Sequence, residues 1–430
     1  MSSPLTSREA GRRFVLLSAT RWFPVGLVFG LTVLLPLERG LTLPEVGVLL
    51  SLQGFVVLAL ELPTGGLADT RGRRPLLIVS GVLAVVAAST LVVATTFVAF
   101  AAAAVVQGVF RVLDSGPLEA WYVDSALAAD PGHPIERGLS RAATVLGASI
   151  AAGALVCGGL VLWRPLGDEW ALTLPFAVAA LVYVVHTLLV VVLVREPRED
   201  TARADPSGQR RGARTLAAWG RGARSVVRDV PRVVAQGLRL LRTAPVLRAL
   251  VLVEVFWSIA MIAFETLTPV GLADDLGGED AAAAVLAPAS AAAWGLFALG
   301  SLLAGRVSRR IGVARTAILA RVLNGLSVVG MGVVAGPVGL LTGYGLAYVT
   351  HGAAGPMHSA LLHREAEPQN RATVLSINSM VAGGAYSVGL LVLTPLAAST
   401  STSTAFVAAG AVSILGALLY VPAWRRERGR

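Results

Sequence analysis

Long apolar runs separated by short charged gaps repeat along the whole chain. Runs of about 20 residues, the length a helix needs to cross a bilayer, fall at roughly 14–36, 45–64, 76–96, 98–118, 140–162, 172–194, 247–270, 284–304, 315–335, 338–360, 372–396 and 404–424. The pattern predicts an all-α integral membrane protein with twelve transmembrane helices. The one long polar interval, residues 195–246, separates six runs from six. Residues 1–194 are therefore expected to form one six-helix bundle and residues 247–430 another. Within the interval, Asp200 to Gly212 reads as a flexible segment. From Leu216 to Leu241, apolar residues near helical spacing alternate with Arg224, Arg228, Arg232 and Arg239, predicting a basic amphipathic helix on the membrane surface. The first run is too long for a signal peptide and is expected to be retained.

Composition agrees with the pattern: 55% of residues are hydrophobic, 14% are charged, and the mean hydropathy is +0.71. All 36 basic residues are arginine, and their placement fixes an expected orientation. If the N-terminus is cytoplasmic, the inner loops hold Arg8, Arg12, Arg13, Arg71, Arg73, Arg74, Arg137, Arg306, Arg309, Arg310, Arg364 and Arg371. The outer loops hold only Arg39 and Arg164 among several acids. That bias is the positive-inside pattern, with both termini inside. The net charge of +10 thus sits at helix mouths facing anionic lipid, which argues against nucleic acid as a partner. The lone cysteine, Cys157, excludes an intramolecular disulfide and reads as a small packing residue.

The gap between the second and third runs carries a compact motif, Gly65-Gly66-Leu67-Ala68-Asp69-Thr70-Arg71-Gly72-Arg73-Arg74. A degenerate copy, Gly305 to Gly312, follows the eighth run, with Arg309 where the first copy has Asp69. The motif resembles the loop-2/3 signature of the major facilitator superfamily, whose members move small solutes across membranes, and the repeat fits that family's paired six-helix halves. The resemblance implies a gate in which Asp69 faces the start of the eleventh helix, near Asn370-Arg371, with Gly65, Arg71, Gly72, Arg73 and Arg74 shaping the hairpin. A carboxylate at a helix N-terminus gains a few tenths to about 1 kcal/mol. One departure is Thr70, which stands where the family has a basic residue. The lead-in Glu61-Leu62-Pro63-Thr64 resembles bacterial exporters of that family.

Charges inside the runs are the candidate functional residues, since each costs at least about 2.5–3.5 kcal/mol at the bilayer centre unless paired or wetted. Glu254 and Glu265 lie 11 residues apart, within about 20° on one helix face and about 16 Å along it, with Trp257, Ser258 and Met261 on the same stripe. They read as an acidic wall of a central cavity, or as partners of arginines. In the fourth run Arg111 and Asp114, three apart, are expected to pair, and Pro117 is expected to bend the helix. Whether that pair is structural or couples protons stays open. Arg21 and Arg321 are candidate partners for the two glutamates. Tyr344, Tyr348 and His351 form an i, i+4, i+7 stripe that packs helices or touches substrate. His351 and His358 have no acidic partner in their own segment.

With no nucleotide loop, zinc-type spacing or serine elbow, the chain reads as a non-enzymatic transporter without cofactors, metals or nucleic acid. The expectation is a monomer in the cytoplasmic membrane of a bacterium. It would export hydrophobic or amphipathic small molecules, cations among them, by proton-coupled alternating access. The alternative is an importer or facilitator for a nutrient or organic anion that uses Arg21, Arg111 and Arg321.

Overall fold

A computed structural model describes residues 5–65, 72–195, 242–366 and 371–429. Among them there is no strand. Sixteen α-helices follow in order: α1 Ser7–Leu27, α2 Leu31–Glu38, α3 Leu43–Gly65, α4 Arg73–Val93, α5 Phe97–Asp114, α6 Pro117–Ala129, α7 Ile135–Trp163 and α8 Leu174–Leu193, then α9 Pro245–Met261, α10 Thr268–Leu276, α11 Glu279–Ile311, α12 Val313–Val333, α13 Pro337–Glu365, α14 Arg371–Ser399, α15 Thr402–Gly416 and α16 Val421–Arg428. The predicted flexible and amphipathic segments, and Asp69, Arg71 and Asn370 of the predicted gate, fall outside the described residues.

These helices build twelve spans, because four spans are broken. Gly30, at φ 77°, separates α1 from α2. A π turn at Ile262–Leu267 separates α9 from α10. A 3₁₀ turn at Ala417–Tyr420 precedes α16. The fourth span breaks rather than bends. Gly116 takes φ 94°, and Pro117 opens α6 at the position where a missing N–H costs nothing. Among the described residues, eleven spans are long and apolar enough to cross a membrane. The tenth, α13, has the length but not the apolarity, since it carries Thr342, Tyr344, Tyr348, Thr350, His351 and His358.

Two bundles related by an internal repeat emerge from the packing. In the first half the first span packs on the fifth and sixth, the second on the fourth, and the third on the fourth and sixth. In the second half the seventh packs on the eleventh and twelfth, the eighth on the tenth, and the ninth on the tenth and twelfth. Every pair recurs six spans later. The hairpin glycines that align in sequence also share a conformation, Gly72 at φ 82° and ψ 163°, Gly312 at φ 91° and ψ 160°. Only glycine adopts that geometry without strain. Between halves, the second span meets the eleventh and the fifth meets the eighth.

Small residues let these helices approach closely, as membrane interfaces require. A Cβ on Gly300 would lie 1.8 Å from the carbonyl oxygen of Val349, and one on Gly352 would lie 2.0 Å from that of Phe297. Backbone cannot yield as a side chain can. Gly300→Val is expected to cost about 1–3 kcal/mol or more, read as a lower thermal midpoint in detergent.

The apolar core is continuous at one end of the molecule and divided at the other. At the end carrying the α2–α3, α4–α5 and α7–α8 connections, a single cluster joins both halves, from Leu31, Leu35, Cys157 and Phe176 to Leu267, Leu286 and Leu393. At the arginine-rich end each half keeps its own cluster, around Phe14, Trp121 and Tyr122 in the first and around Leu247, Met357 and Tyr420 in the second. The halves are sealed at one face and parted at the other. On the sealed face Arg39 is spent on structure. It donates to the carbonyls of Leu91 (3.0 Å), Val92 (3.1 Å) and Ala94 and to Thr173 Oγ1 (2.8 Å), tying down the end of α4. Arg39→Leu is expected to lower stability by about 1–3 kcal/mol, again read from thermal unfolding.

Candidate functional site

Where the core divides, a cavity of about 670 Å³ opens between the halves. Its walls come from the second, third and fourth spans (Val57, Glu61, Arg73, Leu76, Arg111) and from Ser379, Ala382 and Gly383 of α14. Ser379 Oγ donates to Glu61 Oε1 across the cleft at 3.3 Å. The cavity reaches from the parted face toward the middle of the bundle.

Among the described residues, each half holds a buried pair between its first and fourth spans, a salt bridge in the first and a carboxylate–histidine contact in the second. In the first half, Arg21 Nε donates to Asp114 Oδ2 at 2.6 Å, with side chains 8% and 14% exposed. The Arg21 guanidinium also lies over the rings of Phe110 (4.5 Å) and Trp22 (4.9 Å). The expected Arg111–Asp114 pair does not form. A buried guanidinium held by aromatic rings is the stronger partner for Asp114 than an exposed arginine one turn away. Arg21 is therefore unavailable to the seventh-span glutamates.

In the second half, Glu254 is 7% exposed and its Oε1 lies 2.9 Å from His358 Nε2 and 3.3 Å from Asn378 Nδ2. His358 Nδ1 is 2.9 Å from the Tyr420 hydroxyl, and Arg321 Nε donates to that hydroxyl at 3.4 Å. Arg321 also lies 4.0 Å over the Trp257 ring, which stacks on His351 at 4.4 Å. Two expectations change here. His358 does have an acidic partner, from another span, and Glu254 is locked inside the second half rather than lining the cavity. Asn378 and Tyr420 were not singled out in the sequence, and His358 was set aside there, because each is an ordinary polar residue until α9, α12, α14 and the twelfth span converge. A hint was present: His358 stands one heptad beyond His351 on the least apolar span.

Glu265 sits differently. It belongs to the π turn and is half-buried. The hydroxyls of Tyr344, Tyr348 and Tyr386 are within its electrostatic reach. Among the described residues it makes no hydrogen bond or ion pair. A π turn is a common device at functional sites because it re-aims side chains in mid-helix. Thr266, the next residue, bonds the Tyr386 hydroxyl at 2.9 Å and Ser258 donates to the Ala382 carbonyl, so the turn is tied to α14. The stripe Tyr344–Tyr348–His351 continues into a cluster with Trp294, Phe297 and Phe264, with neighbouring centroids 4.8–6.4 Å apart.

The described hairpin residues work within the first half. Arg73 pairs with Asp124 at 2.8 Å, and Arg74 donates to the Val191 carbonyl at 2.7 Å, near the end of α8. At the second hairpin an acid arrives from elsewhere: Glu427 of α16 accepts from the N–H groups of Val313 (3.1 Å) and Ala314 (2.9 Å) at the start of α12.

The family model for the Major Facilitator Superfamily matches residues 14–350 and 271–430. The chain belongs to this superfamily. Among solved structures it is similar to the nucleoside transporter NupG, with a TM-score of 0.73 at 11% identity over 96% of this chain and 99% of that one. It is also similar to a structure of proton dependent oligopeptide transporters, with a TM-score of 0.71 at 14% identity over 98% and 99%. At these identities the likeness concerns the fold. No curated protein sequence matches. As a superfamily member the chain is a multi-pass membrane transporter.

Proposed function

We propose that the protein exports amphipathic small molecules in exchange for protons, with Glu265 as the exchanging carboxylate. The observation that carries the reading is the state of Glu265, half-buried at the depth of the bilayer without a hydrogen bond or ion pair among the described residues. An isolated charge there costs at least about 2.5–3.5 kcal/mol. The carboxylate is therefore held by a proton or by a cationic group of the cargo, and each displaces the other. The arginine-rich face is read as cytoplasmic, so the cavity takes cargo from the cell interior. Re-sealing of the parted face and opening of the sealed one then present Glu265 to the outside, where a proton replaces the cargo. Among fold relatives, the proton dependent oligopeptide transporters lend general support to proton linkage.

The test uses proteoliposomes loaded with a pH-sensitive dye under an imposed proton gradient. Lipophilic cations, zwitterions, neutral drugs and organic anions are added in turn. Substrate-evoked proton movement opposite to the substrate's own supports the reading. Movement in the same direction makes the protein a proton-driven importer. Solute flux with no proton movement makes it a facilitator, and either result overturns the exchange mechanism.

A further inference from the structure

A second, smaller pocket lies inside the first half, and the helix faces that line the large cavity lead to it. Gln53, Val57 and Glu61 stand at i, i+4 and i+8 on α3, and Gln107 and Arg111 stand at i and i+4 on α5. Val57, Glu61 and Arg111 line the large cavity. Gln53 and Gln107, one turn nearer the sealed face, line the small one. Between the two levels α3 and α5 touch. A Cβ on Gly108 would lie 2.8 Å from the Val56 side chain and 2.9 Å from the Gln53 carbonyl oxygen.

Three polar side chains meet at the small pocket: Thr32 from α2, Gln53 from α3 and Gln107 from α5. Among the described residues none of the three side chains makes a hydrogen bond. The wall around them is apolar, with Leu35, Leu49, Phe100 and Phe176 drawn from the cluster that joins both halves. Among the described residues no charged side chain lines it. A few convergent polar groups in an apolar pocket are the usual make-up of a ligand site. Polar groups without partners in such a setting cost free energy, and here three spans each bring one to the same point.

We propose that this pocket is a subsite for one neutral hydrogen-bonding substituent of the cargo, a hydroxyl or a carboxamide. This rests on the exchange reading above and adds the group that the first half recognises. Two amides and a hydroxyl can both donate and accept, so they match a group that does the same. With a volume of about 30 Å³ the pocket takes such a substituent and not a ring. A charged group entering it would lose its water and find no counter-charge. The faces of α3 and α5 then hold a cargo in order, its body in the large cavity and its polar substituent about 6 Å deeper.

The test uses one cationic body with a single variable substituent: benzyltrimethylammonium bearing a para methyl, hydroxymethyl, carboxamide or carboxylate group. Binding to the full-length protein in nanodiscs is measured by calorimetry for the wild type, Gln53→Met and Gln107→Met. The hydroxymethyl and carboxamide compounds are expected to bind roughly tenfold more tightly than the methyl compound, and the carboxylate more weakly than the methyl. Each variant is expected to erase the tenfold preference and to leave binding of the methyl compound unchanged. Methionine keeps the length of glutamine without its hydrogen bonds, and no partner is stranded. The thermal midpoint is therefore expected to hold or to rise.

Equal binding of the methyl, hydroxymethyl and carboxamide compounds overturns the proposal, as does a preference that both variants retain. Lower thermal midpoints, with the same loss of affinity for every compound, would make the amides packing groups and overturn it too. Absence of binding by all four compounds counts against it as well. Proton movement evoked by other solutes would then leave the exchange reading standing, and its absence for every solute class would remove both.

Discussion

Glu265→Gln is expected to leave the protein folded and to lower substrate-evoked proton movement by roughly a hundredfold. The magnitude follows from what the carboxylate contributes. An unpaired charge at this depth is worth at least about 2.5–3.5 kcal/mol, and about 1.4 kcal/mol is a factor of ten in an equilibrium constant. Glutamine keeps the shape and polarity but can neither bind the proton nor attract a cation. No partner is stranded, because none is bonded to Glu265 among the described residues. The measurement is dye-reported proton flux in proteoliposomes, with downhill substrate exchange recorded beside it. Retention of full flux in the variant would remove Glu265 from the proton step and return attention to Glu254, with which His358 forms the other acidic site of the second half.

His358→Leu is expected to be the most destabilising single change in the second half. It strands Glu254, only 7% exposed, with the weaker Asn378 contact at 3.3 Å, and it strips Tyr420 of its 2.9 Å partner. Removing one member of a buried pair costs about 3–5 kcal/mol. Glu254→Gln should cost less, about 1–3 kcal/mol, because the amide oxygen still accepts from His358. Replacing both, Glu254→Leu with His358→Leu, should recover most of the loss, since a buried pair and an apolar pair of similar volume are often close in stability. Thermal unfolding of the wild type, these variants and the single Glu254→Leu in one detergent decides it. A double variant as damaged as the sum of the singles would mean that the two residues do not act on each other.

The architecture was readable in the sequence because the bilayer imposes a length and a polarity on every span. The repeat was readable for a different reason: a glycine at positive φ cannot be replaced cheaply, so Gly72 and Gly312 mark the same place in both halves. The site was only half legible. Hydropathy flags charges such as Arg21, Asp114, Glu254, Glu265 and Arg321 by their cost, but it does not say which span supplies the partner. Local spacing suggested Arg111 with Asp114, yet Asp114 is satisfied 93 residues away in sequence, by Arg21. Tyr420 stayed invisible and His358 was dismissed for want of a partner, because their importance is made by the helices that converge on Glu254. What sequence reading could not separate was the committed charge from the uncommitted one, and that distinction carries the functional reading.

The chain's one sulfhydryl lies at an informative place. Cys157 is 1% exposed within the cluster that joins both halves, next to Gly158, where a Cβ would come within 3.2 Å of Ala287 on the eighth span. If the exchange cycle proposed above opens that face, Cys157 is expected to meet water only when the fifth and eighth spans separate. The rate at which a membrane-impermeant maleimide consumes Cys157 from the sealed side reports how often that side opens. Any cargo, proton gradient or substitution that shifts the cycle can be timed this way, without engineering a single reporter into the chain.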